Sequence, residues 1–508
     1  MKLGRRQFLR NASRSMTGLW AMQRIPALHA LAADPLSPLA HDPRRPQFHL
    51  LPAANWMNDP NGPVFYGGQH HMFYQYNPGG AIWGDMHWGH AVSPDMVHWR
   101  NLAVALAPTP GGPDAGGCFT GTAIADGDRI AMLYTGVVPV PEADATIRNG
   151  ANSLKESQCL AVSANRDLTV WTKDPLPVIA APPAGLDVTG FRDPVPWRQG
   201  DLWYMAVGSG LRGKSGAVLL YRSHDLRHWE YLHLLAEGSP DGGTATDPVV
   251  AGHMWECPDF FPLGTKHVLL HSHGGHSFWQ TGAFDTDALV FRPERGGFLD
   301  YGSFYAAKTQ LDQAGHRILW GWITESRPEA EYRAAGWAGM MSLPRVLTLD
   351  DRGDLRFESA KQVGTLRKRE QKAHLTGIKE TDRQRIAALR LENGCGEIAC
   401  SFRAAFDISL IADSGVTLLT CHFDPAHPGV VQIDDQAIPA GSDAEIHLRF
   451  LIDGSVIECF VNTAGAYTKR FYPPGLTAPA IGVAVRDGSA ASVSVWQYSP
   501  ISSNRLTS

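Results

Sequence analysis

From about residue 55 to residue 325, short runs of apolar and aromatic residues come in pairs separated by Gly-bearing turns. This is the pattern of strands joined in hairpins. The pairs are Gly62 to Tyr66 with His71 to Tyr76, Gly121 to Ile124 with Ile130 to Tyr134, Pro194 to Trp197 with Leu202 to Ala206, Asp259 to Pro262 with His267 to His271, and Lys308 to Leu311 with Arg317 to Gly321. A second marker follows the first four pairs, an acid-x-x-x-aromatic turn: Asp95 to Trp99, Asp167 to Trp171, Asp225 to Trp229 and Asp287 to Phe291. The leading aspartates are spaced 72, 58 and 62 residues apart. A repeat of that length with four short strands per unit predicts a five-bladed β-propeller over residues 45–350. Trp99, Trp171 and Trp229 recur with the turn and are expected to pack between blades.

Beyond residue 350 the pattern changes. Arg356 to Thr376 is charged and lacks alternation, so 351–385 is expected to be a linker with a short helix. Alternation returns in Ser401 to Phe406, Glu445 to Ile452 and Val456 to Val461, with turns at Asp453-Gly454 and Asp487-Gly488. A β-sandwich is expected over 386–505. The fold class is therefore all-β, a five-bladed β-propeller followed by a C-terminal β-sandwich.

Composition narrows the function. A chain of 508 residues exceeds what one core supports, and 52 Gly with 35 Pro favour turns over long helices. A net charge of -5 with no basic block interleaved with aromatics excludes nucleic acid as a natural partner. No uncharged apolar run is long enough to span a bilayer. Residues 1–33 are expected to be a signal peptide of twin-arginine type, from Gly4-Arg5-Arg6-Gln7-Phe8-Leu9-Arg10 and the Ala30-Leu31-Ala32 cleavage pattern. That predicts a periplasmic or extracellular protein with no membrane contact after processing, as monomer or dimer. Seven scattered cysteines exclude a complete disulfide framework, and buried thiols are expected. His271-Ser272-His273-Gly274-Gly275-His276 lacks metal-site spacing and is expected at a pocket rim. No metal and no cofactor are expected.

Three acids stand where a solvated surface charge is out of place. Asp59 in Trp56-Met57-Asn58-Asp59-Pro60-Asn61-Gly62, Asp193 in Phe191-Arg192-Asp193-Pro194 and Glu256 in Trp255-Glu256-Cys257-Pro258-Asp259 each precede a Pro within two residues and open a strand. If first strands line the propeller axis, the three converge. Hydrolysis of a glycosidic bond needs two carboxyl groups facing each other across it. Asp259 is expected to be an ordinary turn former. Cys257 is expected to tune its acidic neighbour; no histidine arrangement supports it as a nucleophile.

These segments, with Phe73 to Pro78, Met86 to Ala91, Gly336-Trp337-Ala338-Gly339, Ser342-Leu343-Pro344-Arg345 and Ile452 to Glu458, resemble glycoside hydrolase family 32, the invertases, levanases and inulinases. The resemblance implies a retaining β-fructofuranosidase with Asp59 as nucleophile, Glu256 as general acid/base and Asp193 as transition-state stabiliser. It also implies a fructose subsite formed by Trp56, Asn58, Gln75, Trp83, Phe119, Thr120, Arg192 and Trp337. The family's usual Phe-Ser-Gly-Ser reads Phe119-Thr120-Gly121-Thr122 here, which keeps the hydroxyl and adds a methyl. Arg192 is expected to help keep Asp193 anionic, and burial with nearby anions is expected to hold the proton on Glu256. The implied substrate is sucrose or a fructan, attacked from a chain end. Three alternatives stay open: a fructosyltransferase, an inverting arabinanase-like propeller hydrolase with its carboxyls about 6.5 to 9.5 Å apart, and a non-catalytic carbohydrate-binding protein.

Overall fold

The computed structural model describes residues 38–149, 152–239, 247–374, 380–473, 480–488 and 491–506. The expected signal peptide lies outside the described residues. Among the described residues, the N-terminal part forms five sheets of four or five strands. The inner strands are Asn55–Tyr66, Cys118–Asp126, Val188–Gln199, Glu256–Leu263 and Tyr305–Leu311. Each pairs antiparallel with the next strand of its own sheet and touches the inner strands of the two neighbouring sheets, so the five make a closed cycle. The short strand Trp337–Ala338 returns to pair in parallel with Asn55 and Trp56, tying the fifth sheet's outgoing chain to the first. The arrangement is a β-propeller. Inner strands approach so closely that a Cβ at Gly62, whose φ is 50°, would lie 2.1 Å from the Ala123 nitrogen.

The repeated turn has a physical basis. The Asp95 carboxylate accepts the Val97 and His98 N–H groups, and Asp225 accepts those of Arg227 and His228. In the second and fourth copies the bonds go to Asn165 and Asp285, two residues ahead of the acid that the pattern marks. Met96, Leu168 and Leu226 then take φ of 68°, 52° and 64°, and each offers its carbonyl to the indole of Trp99, Trp171 or Trp229. Trp99 is buried, and Trp171 and Trp229 pack half-buried, each against a cluster shared by two neighbouring sheets, as expected.

The stretch expected as a linker is mostly structured. Leu355–Ser359 is the outer strand of the fifth sheet, and Arg367–His374 is the edge strand of a C-terminal sheet. The charged residues misled because edge strands face water on one side. A short helix does follow, Glu380–Ala387. Two six-stranded sheets then form a sandwich, with Ile398, Phe402, Leu410, Leu448 and Val483 in the core between them. All seven cysteines are free and buried.

Propeller and sandwich are joined by a buried ionic cluster built from two of the sequence motifs. Arg345 donates to Glu458 at 2.6 Å and to Asp300 at 2.9 Å. His49 lies between Asp453 and Glu458 at 2.9 and 3.1 Å. Those side chains are fully buried. Two opposite carboxylates hold the His49 imidazole in its charged form, with a pKa raised to about 9 despite burial.

Candidate active site

The site begins as a repeated backbone irregularity. Every inner strand carries one extra residue at the same level, between Met57 and Pro60, Cys118 and Gly121, Arg192 and Val195, Glu256 and Asp259, and Tyr305 and Lys308. A bulge of this kind bends the strand and re-aims its side chains. Three of the bulged residues, Asp193, Cys257 and Ala306, take left-handed φ of 67°, 50° and 56°, a costly conformation that accumulates at functional sites. The level of the bulge puts Arg192, Glu256 and Tyr305 at equivalent positions on consecutive strands. Asn58, Phe119 and Asp193 fall one residue further along, and Asp59 and Thr120 two.

The hydrogen bonds follow from that register. Glu256 sits between its two equivalents: Arg192 Nη2 donates to Oε1 at 2.8 Å and Tyr305 Oη to Oε2 at 2.6 Å. Arg192 is itself held by Glu156 at 3.0 Å, and the same glutamate accepts the Phe191 N–H. Asp59 Oδ1 accepts from Asn58 Nδ2 at 3.0 Å, and Oδ2 accepts from the Thr120 hydroxyl at 2.8 Å. The Trp56 indole fixes Asn58 in turn at 2.8 Å. Cys257 joins the three acids. It follows Glu256, its N–H donates to Asp193 Oδ2 at 2.7 Å, and its thiol reaches Asp59 Oδ2 at 3.5 Å. Residues 198 apart in the chain therefore share one contact.

The Arg192 guanidinium is taken up by Glu156 and Glu256, yet its charge still favours the Asp193 anion, as expected. Burial raises the Asp193 carboxyl to about 6, with the Glu256 and Asp59 charges adding to the rise and Arg192 and Lys308 opposing it. Burial also pushes the Cys257 thiol well up, which removes it as a thiolate nucleophile.

The structure brings Trp56, Asn58, Phe119, Thr120, Trp83 and Arg192 around the three acids. Trp83 and Phe119 meet edge to face at 5.8 Å and pack with Cys257 and Tyr305 in one cluster. Gln75 is 2% exposed, its amide nitrogen donating to the Cys118 carbonyl across to the second sheet. Trp337 does not line the site. Its side chain is fully buried in the seam toward the sandwich, where its indole donates to Asp42 at 2.9 Å. Its backbone belongs to the propeller while its ring turns away, which spacing alone does not reveal. The ring that joins the site cluster is Trp322, edge-on to Trp56 at 5.8 Å and to Tyr305 at 6.5 Å. Tyr305, Glu156 and Trp322 were missed by sequence reasoning. The repeat carried a usable signal for Tyr305, which stands at the Glu256 position of the fifth unit. Asp259 is no turn former: it is buried on the strand and accepts the Thr309 N–H and hydroxyl at 2.7 Å each.

Among the described residues no group of His, Cys, Asp and Glu is placed to hold a metal ion. His271 and His273 stack with Trp255 and Phe278, with Trp255 and His271 3.8 Å apart and 13° from parallel.

Comparison with known proteins places the chain in a family. Residues 49–359 match the glycosyl hydrolases family 32 N-terminal domain, and 412–497 match the family's C-terminal domain. The chain is 34% identical to sucrose-6-phosphate hydrolase of Escherichia coli over 84% of its own length and 89% of that protein's. It is 30% identical to acid beta-fructofuranosidase of Vicia faba, covering 89% and 81%. Among solved structures, a family 32 beta-fructofuranosidase of Bombyx mori superposes with a TM-score of 0.74 at 27% identity, covering 91% and 95% of the two chains. Fructan 1-exohydrolase IIa of Cichorium intybus, solved with 1-kestose, gives 0.74 at 27%, covering 90% and 98%.

Proposed function

Because the chain belongs to glycosyl hydrolase family 32, we propose that it hydrolyses terminal β-D-fructosyl residues of sucrose or fructans by a retaining mechanism, with Asp59, Glu256 and Asp193 as its chemical groups. The observation that carries this reading is Cys257, which binds Asp193 through its N–H and Asp59 through its thiol while standing next to Glu256.

Asp59 attacks the anomeric carbon as Glu256 passes a proton to the departing oxygen. The fructosyl group is then an ester of Asp59, and Glu256 takes a proton from the water that releases it. Asn58 and Thr120 fix the two oxygens of Asp59, so attack needs little rotation. Arg192 and Tyr305 aim one oxygen each of Glu256, and both donate to the anion that forms when the proton leaves. Asp193, held by the Cys257 N–H, accepts hydroxyls of the fructosyl ring while positive charge grows at its anomeric centre. Trp83, Phe119 and Trp322 supply apolar faces for the sugar's C–H groups, while Trp56, 1% exposed, acts through its hydrogen bond to Asn58.

The substrate class rests on relatives named for sucrose-6-phosphate, β-fructofuranosides and 1-kestose. Attack from a chain end suits a pocket closed by five inner strands. Export through the Gly4 to Arg10 signal, to periplasm or medium, is part of the proposal, as is a monomeric or dimeric state.

The test is fructose release from sucrose, inulin and levan by the chain lacking residues 1–32. The first sugar released should be the β-anomer by NMR. In Glu256→Gln, release should fall by about 100-fold or more, the usual contribution of a general acid. An α-anomer would instead favour an inverting reaction, longer oligomers in place of free fructose a transferase, and no release a binding protein.

A further inference from the structure

Trp337, displaced from the sugar site, is surrounded by three buried arginines that come from three separate parts of the chain. Arg45 precedes the first sheet, Arg327 follows the second strand of the fifth, and Arg470 ends a sandwich strand. Their guanidinium carbons lie 5.2, 4.4 and 5.6 Å from the indole ring. Arg45 is fully buried, and the side chains of Arg327 and Arg470 are 1% and 0% exposed.

Among the described residues, the negative charge around them falls short. Glu325 meets Arg327 at 2.7 Å and Arg470 at 3.5 Å. Asp42 accepts the Trp337 indole and pairs outward with Arg44. Arg45 donates from Nε and Nη2 to the main-chain carbonyls of Arg505 and Pro52, which carry no counter-charge. Five nitrogens, Arg45 Nη1, Arg327 Nε and Nη1, and Arg470 Nε and Nη1, find no acceptor among the described residues. Native interiors rarely leave so many donors unpaired in one place, and a buried cation without a partner is destabilising. Asp42 and Glu325 are two anions for these three guanidiniums, and Asp42 is shared with Arg44, so the cluster is net positive. Burial lowers the pKa of Arg45 to about 9 and of Arg470 to about 10, the response of guanidiniums short of counter-charge.

We propose that this seam binds one small inorganic anion, a halide, between Arg45, Arg327 and Arg470. The chemistry favours a weakly hydrated monovalent ion. Leu51, Ile323, Met340 and Val456 pack about Trp337 as apolar walls, which suit an ion that sheds its water at little cost over a strongly hydrated multivalent one. The ion would clasp the N-terminal segment, the propeller and the sandwich together. It would also brace the stretch that carries Tyr332, whose ring meets Trp56 of the sugar site at 5.8 Å. This goes beyond the proposed hydrolysis and does not depend on it.

Crystals of the full chain soaked in sodium bromide should give an anomalous peak within about 3.5 Å of guanidinium nitrogens from the three arginines. In solution, replacing gluconate by chloride at constant ionic strength should raise Tm saturably, by about 1 to 3 °C. Arg470→Gln and Arg45→Gln should each flatten that response, and either variant suffices if the other does not fold. The proposal is overturned if no peak appears, if water or a protein carboxylate fills the position, or if the wild-type Tm responds equally to gluconate and chloride.

Discussion

Glu458→Gln tests whether the sandwich is an independent appendage or part of the catalytic body. Glu458 accepts from His49 Nε2, from the Leu343 N–H at 2.7 Å, and from both Nε and Nη2 of Arg345, all fully buried. Glutamine keeps the shape, loses the charge and turns an NH2 group toward at least one donor. Breaking a buried, hydrogen-bonded ion pair from one side costs about 3 to 5 kcal/mol. The same change acts on His49, whose pKa is raised from 6.5 to about 9 by Asp453 and Glu458. A histidine with a raised folded pKa contributes stability that is complete below the unfolded value and is lost as pH rises through the folded one. In the wild type that contribution, up to about 3 kcal/mol, should fade between pH 6.5 and 9. Urea unfolding of the full chain at pH 6 and pH 9, followed by tryptophan fluorescence, measures both effects. The variant should unfold about 3 kcal/mol more easily at pH 6, and its pH dependence over that window should shrink. A loss below about 1 kcal/mol with unchanged pH dependence would refute the reasoning, because those are the values of a solvated surface pair.

Tyr305→Phe removes a donor to Glu256 Oε2; since that bond favours the carboxylate, the basic limb of the kcat/KM profile should move to higher pH, while an unmoved limb would show that the bond has no electrostatic role. Trp322→Ala should raise KM for sucrose by about tenfold, the effect of losing roughly 1.4 kcal/mol of sugar contact, whereas Trp337→Leu should lower Tm with KM unchanged, and steady-state kinetics beside a melting curve separates the two. The buried pair His71 and His90, 3.0 Å apart, should govern acid stability. His71 is depressed from 6.5 to about 4 by burial, so its contribution is complete above pH 6.5 and lost as pH falls toward 4, about 3 kcal/mol in all. Urea midpoints between pH 7 and pH 4 should fall, and should fall less in His71→Gln.

What the sequence determined by itself is local and periodic. Alternation and Gly-bearing turns specify hairpins, because side-chain direction in a strand has period two and a tight turn needs particular residues. Their recurrence specifies a propeller, and the motifs around Asp59, Asp193 and Glu256 single out the acids. The bulges left a faint trace too, since Pro60, Pro194 and Pro258 mark where the ladder is interrupted. Tertiary structure alone decided which neighbours share a charge. Arg192 is adjacent to Asp193 in sequence, yet strand geometry sends its side chain to Glu156 and Glu256. Trp337 and Trp322 are both conspicuous aromatics, yet one ring packs in the interdomain seam and the other beside the sugar site. The charged stretch after residue 355 becomes edge strands because a partner sheet lies ready to pair with it. Hydrogen bonds and ion pairs act over a few ångströms of space, and the closed ring of strands brings together groups that the chain keeps 60 to 200 residues apart.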